Sequence, residues 1–329
     1  MPVVRWRHRV GAGCRGRRSG KLTLVICVVF AVLTAFSNAM ASVLQRRAAI
    51  EAPADGSFRL SLFAYLVRRR VWLAGIGMVV AAAVFQAAAL ATGPVALVQP
   101  IFIVELPLAL LIAGLFWRTR LPRRMWGAVA AVTAGLVVAL AAANPSGGVD
   151  QSSDQLWVLA LIATGGFEAV LLISALRVRG EPRAALLGLA AACGYALTAA
   201  LMKQSMAALS VGPGAFFSTW QLYATAVAGV GSLFLLQNAL QAGTLVASQP
   251  MLTIGDALIS ACYGGLLFDE DIRFGWWLVP QLVGLIVIVF GYLELSRSPL
   301  ASGQTLRGAG SDDDDADGAP SELQHSTTS

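Results

Sequence analysis

Apolar residues fill nine stretches of about twenty positions, separated by short polar or turn-forming joints along nearly the whole chain. A bilayer core roughly 30 Å thick is crossed by about 20 residues of α-helix, so stretches of this length predict membrane spans. They fall at 22–44, 72–92, 94–117, 126–143, 156–176, 184–205, 215–240, 243–267 and 276–295. The joints Thr92-Gly93-Pro94, Asn144-Pro145-Ser146-Gly147-Gly148 and Val211-Gly212-Pro213-Gly214 carry turn chemistry. Those at 93 and 241–243 are tight enough to make spans two and three, and spans seven and eight, helical hairpins. The fold expected is therefore all-α and integral to a membrane, with about nine transmembrane helices. Phe58 to Val67 is apolar but too short to span, and should lie on the surface or pack as a partial helix. Residues 1–21 form a basic N-terminal tail. Residues 297–329, with the run Asp312-Asp313-Asp314-Asp315, form an acidic tail expected to be disordered.

Composition agrees with the pattern. The 329 residues are 57% hydrophobic and 13% charged, whereas ordinary globular chains are about 25% charged. The four cysteines, Cys14, Cys27, Cys193 and Cys262, form no CxxC pair, which points to neither a zinc site nor a disulfide framework. The two histidines, His8 and His325, both lie in the tails. That argues against His-based catalysis, His metal ligation or a His proton relay inside the membrane. With no Ser-Lys or Gly-x-Ser-x-Gly pattern either, an enzyme is disfavoured and no cofactor is called for. The net charge of +6 is mostly loop arginine without stacking aromatics, so it suits a membrane surface rather than a nucleic acid.

Orientation follows from Lys and Arg, which accumulate in cytoplasmic loops. With nine spans and the N-terminus outside, the inside loops hold Arg46, Arg47, Arg59, Arg68, Arg69, Arg70, Arg118, Arg120, Arg123, Arg124, Arg177, Arg179 and Arg183. The outside loops hold only Lys203 and Arg273, beside Asp150, Asp154, Asp269, Glu270 and Asp271. The basic tail around Arg5 to Lys21 opposes this assignment. The expectation is a plasma-membrane protein with its N-terminus outside and its C-terminus cytoplasmic. Ala39-Met40-Ala41 has the form of a signal-peptidase site, but the apolar stretch runs on to Leu44 and stops at Gln45-Arg46-Arg47, as a retained span would.

Residues 87–143 align without a gap on 237–293 at a shift of 150. Leu90 meets Leu240, Gly93 meets Gly243, Gln99-Pro100 meets Gln249-Pro250, Gly114 meets Gly264, Arg123 meets Arg273 and Trp126 meets Trp276. A looser match pairs Ser37-Asn38-Ala39 with Gly194-Tyr195-Ala196. Spans one to four (22–143) thus repeat as spans six to nine (184–295), with a linking helix at 156–176. A shift of five helices inverts the second copy. Two inverted four-helix repeats about a midplane site are a transporter architecture, because rocking one against the other gives alternating access.

QAAALATGPVALVQP (86–100) and its echo LQNALQAGTLVASQP (236–250) each read as an apolar helix, a small-residue turn and a helix kinked by Pro. With Trp126-Gly127 opening span four, these segments resemble the drug/metabolite transporter superfamily, and within it the NIPA-type magnesium transporters. The resemblance covers about 22–295 and implies passage of a small solute or cation, Mg2+ among the candidates. The chain departs from that family in carrying acids, Glu105 and Asp256, on the helices after the Pro. The usual Glu at the end of that helix is replaced by Arg118 in the first copy, while Asp269 and Glu270 sit near it in the second. The composition is also similar to that of Ala/Val/Leu-rich membrane proteins of high-GC Gram-positive bacteria.

A charge inside the bilayer costs about 2.5–3.5 kcal/mol on insertion scales, so each intramembrane acid is a functional candidate. Gln249, Thr253, Asp256, Ser260 and Tyr263 recur at spacings of three and four and share one face of span eight. Such a stripe suits a wet path, or hydrogen bonds that bind the bundle together. Glu105 has apolar neighbours in its own helix and needs a partner on another helix or a proton. It maps within one residue of Asp256, so the two acids sit at nearly equal depth in opposite copies. Glu168 in span five has no partner in its own helix. Thr34, Asn38, Ser42 and Gln45 share a face of span one, Tyr195 and Thr198 of span six, and Ser218, Gln221, Thr225 and Ser232 of span seven. Gln99 pairs by repeat with Gln249. Pro100 and Pro250 remove helix hydrogen bonds and are candidate hinges. Trp117, Trp126, Trp157, Trp276 and Trp277 lie at span ends and read as interfacial anchors.

Two readings remain on these residues. One is a transporter with Asp256, Glu105, Gln249, Thr253, Ser260, Gln99, Glu168, Asn38, Tyr195 and Gln221 lining its path. The other is a scaffold or assembly protein of the cell envelope. Small-xxx-small spacings would allow a homodimer but single out no face for it.

Overall fold

The structure, a computed structural model, describes residues 15–50, 69–116, 122–243 and 245–296. The segment Phe58 to Val67, the acidic tail, Arg118 and Trp117 lie outside the described residues. Nine described helices are long and apolar enough to cross a membrane, and the protein is a multi-pass α-helical membrane protein. The helices are α1 (Arg15–Ile50), α2 (Arg70–Thr92), α3 (Val95–Ile101), α4 (Glu105–Phe116), α5 (Arg123–Ala143), α6 (Asp154–Arg177), α7 (Glu181–Val211), α8 (Pro213–Ser218), α9 (Trp220–Ala242), α10 (Leu245–Phe268) and α11 (Leu278–Ser296). A 3-10 turn, Phe102–Val104, joins α3 to α4 within the third span.

The third span is interrupted because Pro100 has no N–H to give and its ring crowds the preceding turn. Pro100 sits one residue before the end of α3, and the chain tightens into the 3-10 turn before Glu105 opens α4. Its repeat partner Pro250 lies inside α10 without ending it. The seventh span starts later than the hydrophobic pattern suggests. Thr219 is extended (φ −76, ψ 130) and separates the short α8 from α9. Ser218 is therefore on a different helix from Gln221, Thr225 and Ser232, and the expected single stripe is broken.

The sixth span, α7, is the centre of the bundle. It is 31 residues long rather than the 22 of the apolar pattern, and it packs on α6, α9 and α10. Its buried positions include Ala190, Ala191, Ala192, Cys193, Gly194, Ala196, Ala199 and Ala200. Side chains this small let neighbouring backbones approach closely, which is how helices associate where lipid competes equally for apolar surface. Around it, α1 packs on α2, α3 on α10, and α5 on α11. The α5–α11 crossing is a meeting of glycines. A Cβ on Gly284 would stand 2.6 Å from the Gly135 carbonyl oxygen, and one on Gly135 would stand 2.7 Å from that of Gly284.

The largest buried cluster draws on six helices, with Cys27, Leu90, Val95, Val98, Trp157, Leu201, Tyr263 and Phe268 among its members. Trp157 is not the interfacial anchor its position suggests. It is 0% exposed and stands edge-on to Trp220 and Phe268. Trp126 and Trp276, at 56% and 91% exposed, agree with the anchor assignment. One end of the bundle is closed by a two-residue antiparallel pair between β1 (Ser146–Gly147) and β2 (Glu270–Asp271). Val149 N donates to Phe268 O at 2.6 Å, and Arg273 N to Ala143 O at 3.0 Å, which ties the same two loops together. This end is called the loop end below. The described arginines Arg47, Arg69, Arg70, Arg123, Arg124, Arg177, Arg179 and Arg183 are all exposed at the opposite, Arg-rich end.

The Gly135–Gly284 crossing sets a packing test. Leucine in place of Gly284 drives a side chain into the α5 backbone, and overpacking of this kind costs about 1–3 kcal/mol. Thermal unfolding in detergent should show Gly284→Leu melting below wild type, with Gly127→Leu, which has no neighbour within 4 Å, melting close to wild type.

Candidate functional site

The acids predicted from the sequence gather at mid-depth around the inner face of α7. Asn38 Nδ2 on α1 donates to Glu105 Oε2 on α4 at 3.2 Å, so two candidates that lie 67 residues apart meet directly. Ser260 Oγ donates to Asp256 Oδ1 at 3.3 Å within α10. Thr253, one turn toward the Arg-rich end, gives its hydroxyl both to the Gln249 carbonyl at 2.9 Å and to the Tyr292 hydroxyl of α11 at 3.2 Å. Tyr195 on α7 lies within electrostatic reach of both Glu105 and Asp256, and Tyr292 within reach of Glu105. The polar groups thus come from five helices: α1, α4, α7, α10 and α11.

Glu168 stands against the same stretch of α7 from the α6 side. A Cβ on Gly194 would stand 3.6 Å from its Oε1, and Cys193 is within electrostatic reach of both Glu168 and Asp256. Tyr263, the last member of the α10 stripe, turns away from Asp256 and shares a hydrogen bond with Thr164 of α6. Glu105, Asp256, Glu168 and Tyr195 are all half-buried.

Among the described residues no Lys or Arg side chain is placed against these acids. Every described Lys or Arg whose side chain is placed is exposed, except Lys203. Among the described residues no three His, Cys, Asp or Glu converge as a metal cluster. Gln99 is 3% exposed and its Nε2 has no hydrogen-bond partner, so a buried amide donor is left unsatisfied, which costs free energy. Gln221 does not join the acids. It lies in the wall of a separate cavity of about 350 Å3 at the loop end, with Gln151, Asp154, Gln204, Thr219 and Trp220.

Sequence reading missed the strongest electrostatic contact. Lys203 and Glu270 look like loop charges, but Lys203 lies in α7 at 4% exposed, and Glu270 is 5% exposed. Their side chains form an ion pair at 2.6 Å. The same carboxylate accepts the Val95 N–H at 2.7 Å and the Ala96 N–H at 2.9 Å. These are orphan donors at the N-terminus of α3, where the helix dipole also favours negative charge. The Lys203 ammonium also stands 4.7 Å from the centre of the Phe268 ring. Gly264 makes room for the carboxylate, since any Cβ there would strike Glu270 Oε2. A signal available in the sequence was that the apolar stretch 184–205 already includes Lys203.

Fold and site together define a multi-pass membrane protein with half-buried acids among its helices. The chain is similar to an uncharacterized protein of Corynebacterium glutamicum, 25% identical over 281 residues, which are 83% of this chain and 96% of that protein. No family model matches the chain, and no solved structure matches it.

Removing one member of a buried ion pair typically costs about 3–5 kcal/mol because the other charge is left uncompensated. Lys203→Met should therefore lower the unfolding midpoint in detergent strongly, and Lys203→Met combined with Glu270→Gln should recover much of the loss. Equal losses in the single and double variants would mean that the two charges do not depend on one another.

Proposed function

We propose that this protein is a secondary transporter of the drug/metabolite type, carrying a small cationic solute or cation past Asp256 and Glu105 by alternating access. The observation that carries the reading is that two acids from opposite halves of the chain, Glu105 beside Asn38 and Asp256 beside Ser260, are half-buried in the bundle within electrostatic reach of the same Tyr195, with no described Lys or Arg side chain placed against them. Two carboxylates placed in a low-dielectric interior at such cost need a reason, and a cation or proton in transit supplies one. A Mg2+ would come with most of its water, held through one or two carboxylates, since the acids are spread along the path rather than gathered as a chelate.

The inverted repeat is part of the proposal, and the packing pattern supports it. The α1–α2 pairing has its counterpart in α7–α9, and the contacts of α1 with α3 and α4 have theirs in α7–α10. Under a two-fold exchange of halves, the α3–α10 and α5–α11 pairs map onto themselves. The Gly135–Gly284 crossing lies one residue off that exchange, since the 150-residue shift sets Gly135 opposite Leu285 and Gly284 opposite Ala134. The glycines that the 150-residue shift aligns, Gly93 and Gly243, both follow a helix C-terminus in extended backbone. The exposed arginines at one end favour that end as cytoplasmic in a plasma membrane, which leaves the loop end and the N-terminus outside.

Transport into proteoliposomes tests the reading. Divalent cations, amines and amino acids would be scanned with and without a pH gradient. At least one cationic solute should be taken up by wild type, with uptake falling at least about tenfold in Asp256→Asn at unchanged folding. Folded, correctly inserted protein that moves no solute of any class would overturn the proposal and favour a scaffold in which the polar stripes bind the helices together.

A further inference from the structure

The two ends of the bundle are built differently. At the loop end the largest buried cluster fuses α1, α2, α3, α6, α7 and α10. Toward the Arg-rich end, Ala39, Val43 and Ile112 pack within the first half alone, and Ala175, Leu187 and Ala239 within α6, α7 and α9. One cluster at that end, Leu110, Met125, Ala128 and Leu295, joins α11 to α4 and α5. The half-buried acids lie between the fused end and the divided one. Among the described residues the loop end is thus the more continuously packed of the two.

Among the described residues, Glu270 is the charged side chain that ties the loop end across both halves. It reaches from the end of α10 to the first two N–H groups of α3, while holding the ammonium of α7. Three charge-assisted bonds converge on a carboxylate that is 5% exposed. The contact is also one-sided. The 150-residue shift that aligns Gln99-Pro100 with Gln249-Pro250 sets Arg120 opposite Glu270. At that aligned position the first half carries a cation in place of a carboxylate.

We propose that the Lys203–Glu270 pair and the α3 N-terminus form a latch that holds the loop end closed, and that its release lets the loop end open as the Arg-rich end closes. The inference rests on the transporter reading for its purpose, but not for its test. Releasing the latch trades one set of partners for another. Glu270 must leave two amide donors and an ammonium, so a mutation that weakens only the carboxylate's charge shifts the balance between the two arrangements without emptying the core.

The native Cys27 is a built-in reporter. It is 0% exposed, belongs to the loop-end cluster, and fills the space that a Cβ on Gly93 would need. The test labels two proteins in proteoliposomes with a membrane-impermeant maleimide added from one face or the other. One keeps Cys27 with Cys14, Cys193 and Cys262 replaced by serine. The other has all four replaced and carries Thr253→Cys, which is half-buried on the Arg-rich side of Asp256. The expected result is that Glu270→Gln raises Cys27 labelling from the loop end about tenfold or more and lowers Thr253→Cys labelling from the Arg-rich end severalfold. The charge exchange Lys203→Glu with Glu270→Lys should move both rates back toward wild type. Rates that rise at both reporters would mean loosened packing, and unchanged rates at both would mean a purely structural ion pair. Either result overturns the latch. Labelling that shifts in opposite directions in a protein that moves no solute would keep the latch and sink the transporter reading. Solute uptake with unshifted labelling would do the reverse.

Discussion

Inside a bilayer a polar group has no water to fall back on, and each buried donor, acceptor or charge must find its partner within the protein. That constraint explains why so few polar side chains lie inside this bundle and why most of them come in named pairs. Hydroxyls of Thr34, Thr92, Thr164, Thr198, Ser205 and Ser232 bond back to carbonyls of their own helices. Glu270 resolves four obligations at once, its own charge, that of Lys203, and two N–H groups that the start of α3 leaves open. The break between α2 and α3 can be buried only because this carboxylate reaches it.

Against that economy the mid-depth acids stand apart. Among the described residues Glu105 has one amide partner and Asp256 one hydroxyl, each at a distance above 3 Å, and neither faces a cation. A structural ion pair in the same protein is built to much closer tolerance, as Lys203 and Glu270 demonstrate. Loosely held acids in a partly accessible interior suit a group that must exchange partners, whereas tightly held ones suit a contact that joins two bodies.

Small residues allow both arrangements. Helix α7 is lined by Ala and Gly beside the acids, so neighbouring backbones approach closely there, as they do where Gly135 meets Gly284. At the loop end Trp157, Phe268 and Leu201 fill one cluster instead.

How much of this was legible beforehand follows from the physics of each feature. Nine spans, their approximate limits and the three intramembrane acids could be read from the chain, because hydrophobic length and the cost of buried charge are local properties. The helical spacing of Asp256 and Ser260 made their contact readable too. The pairing of Asn38 with Glu105 was not, since both were candidates but their meeting depends on how α1 packs on α4. Trp157 was misjudged because an aromatic near a span end is as compatible with burial under a loop as with an interface. Lys203 and Glu270 were misjudged for a related reason. Residues near a predicted boundary look solvated until the length of the helix and the fold of the opposing loop are known. Sequence by itself determined that this chain lives in a membrane and which charges it hides there. Only the tertiary structure decided which of them face each other, because partners 67 residues apart are chosen by packing and not by periodicity.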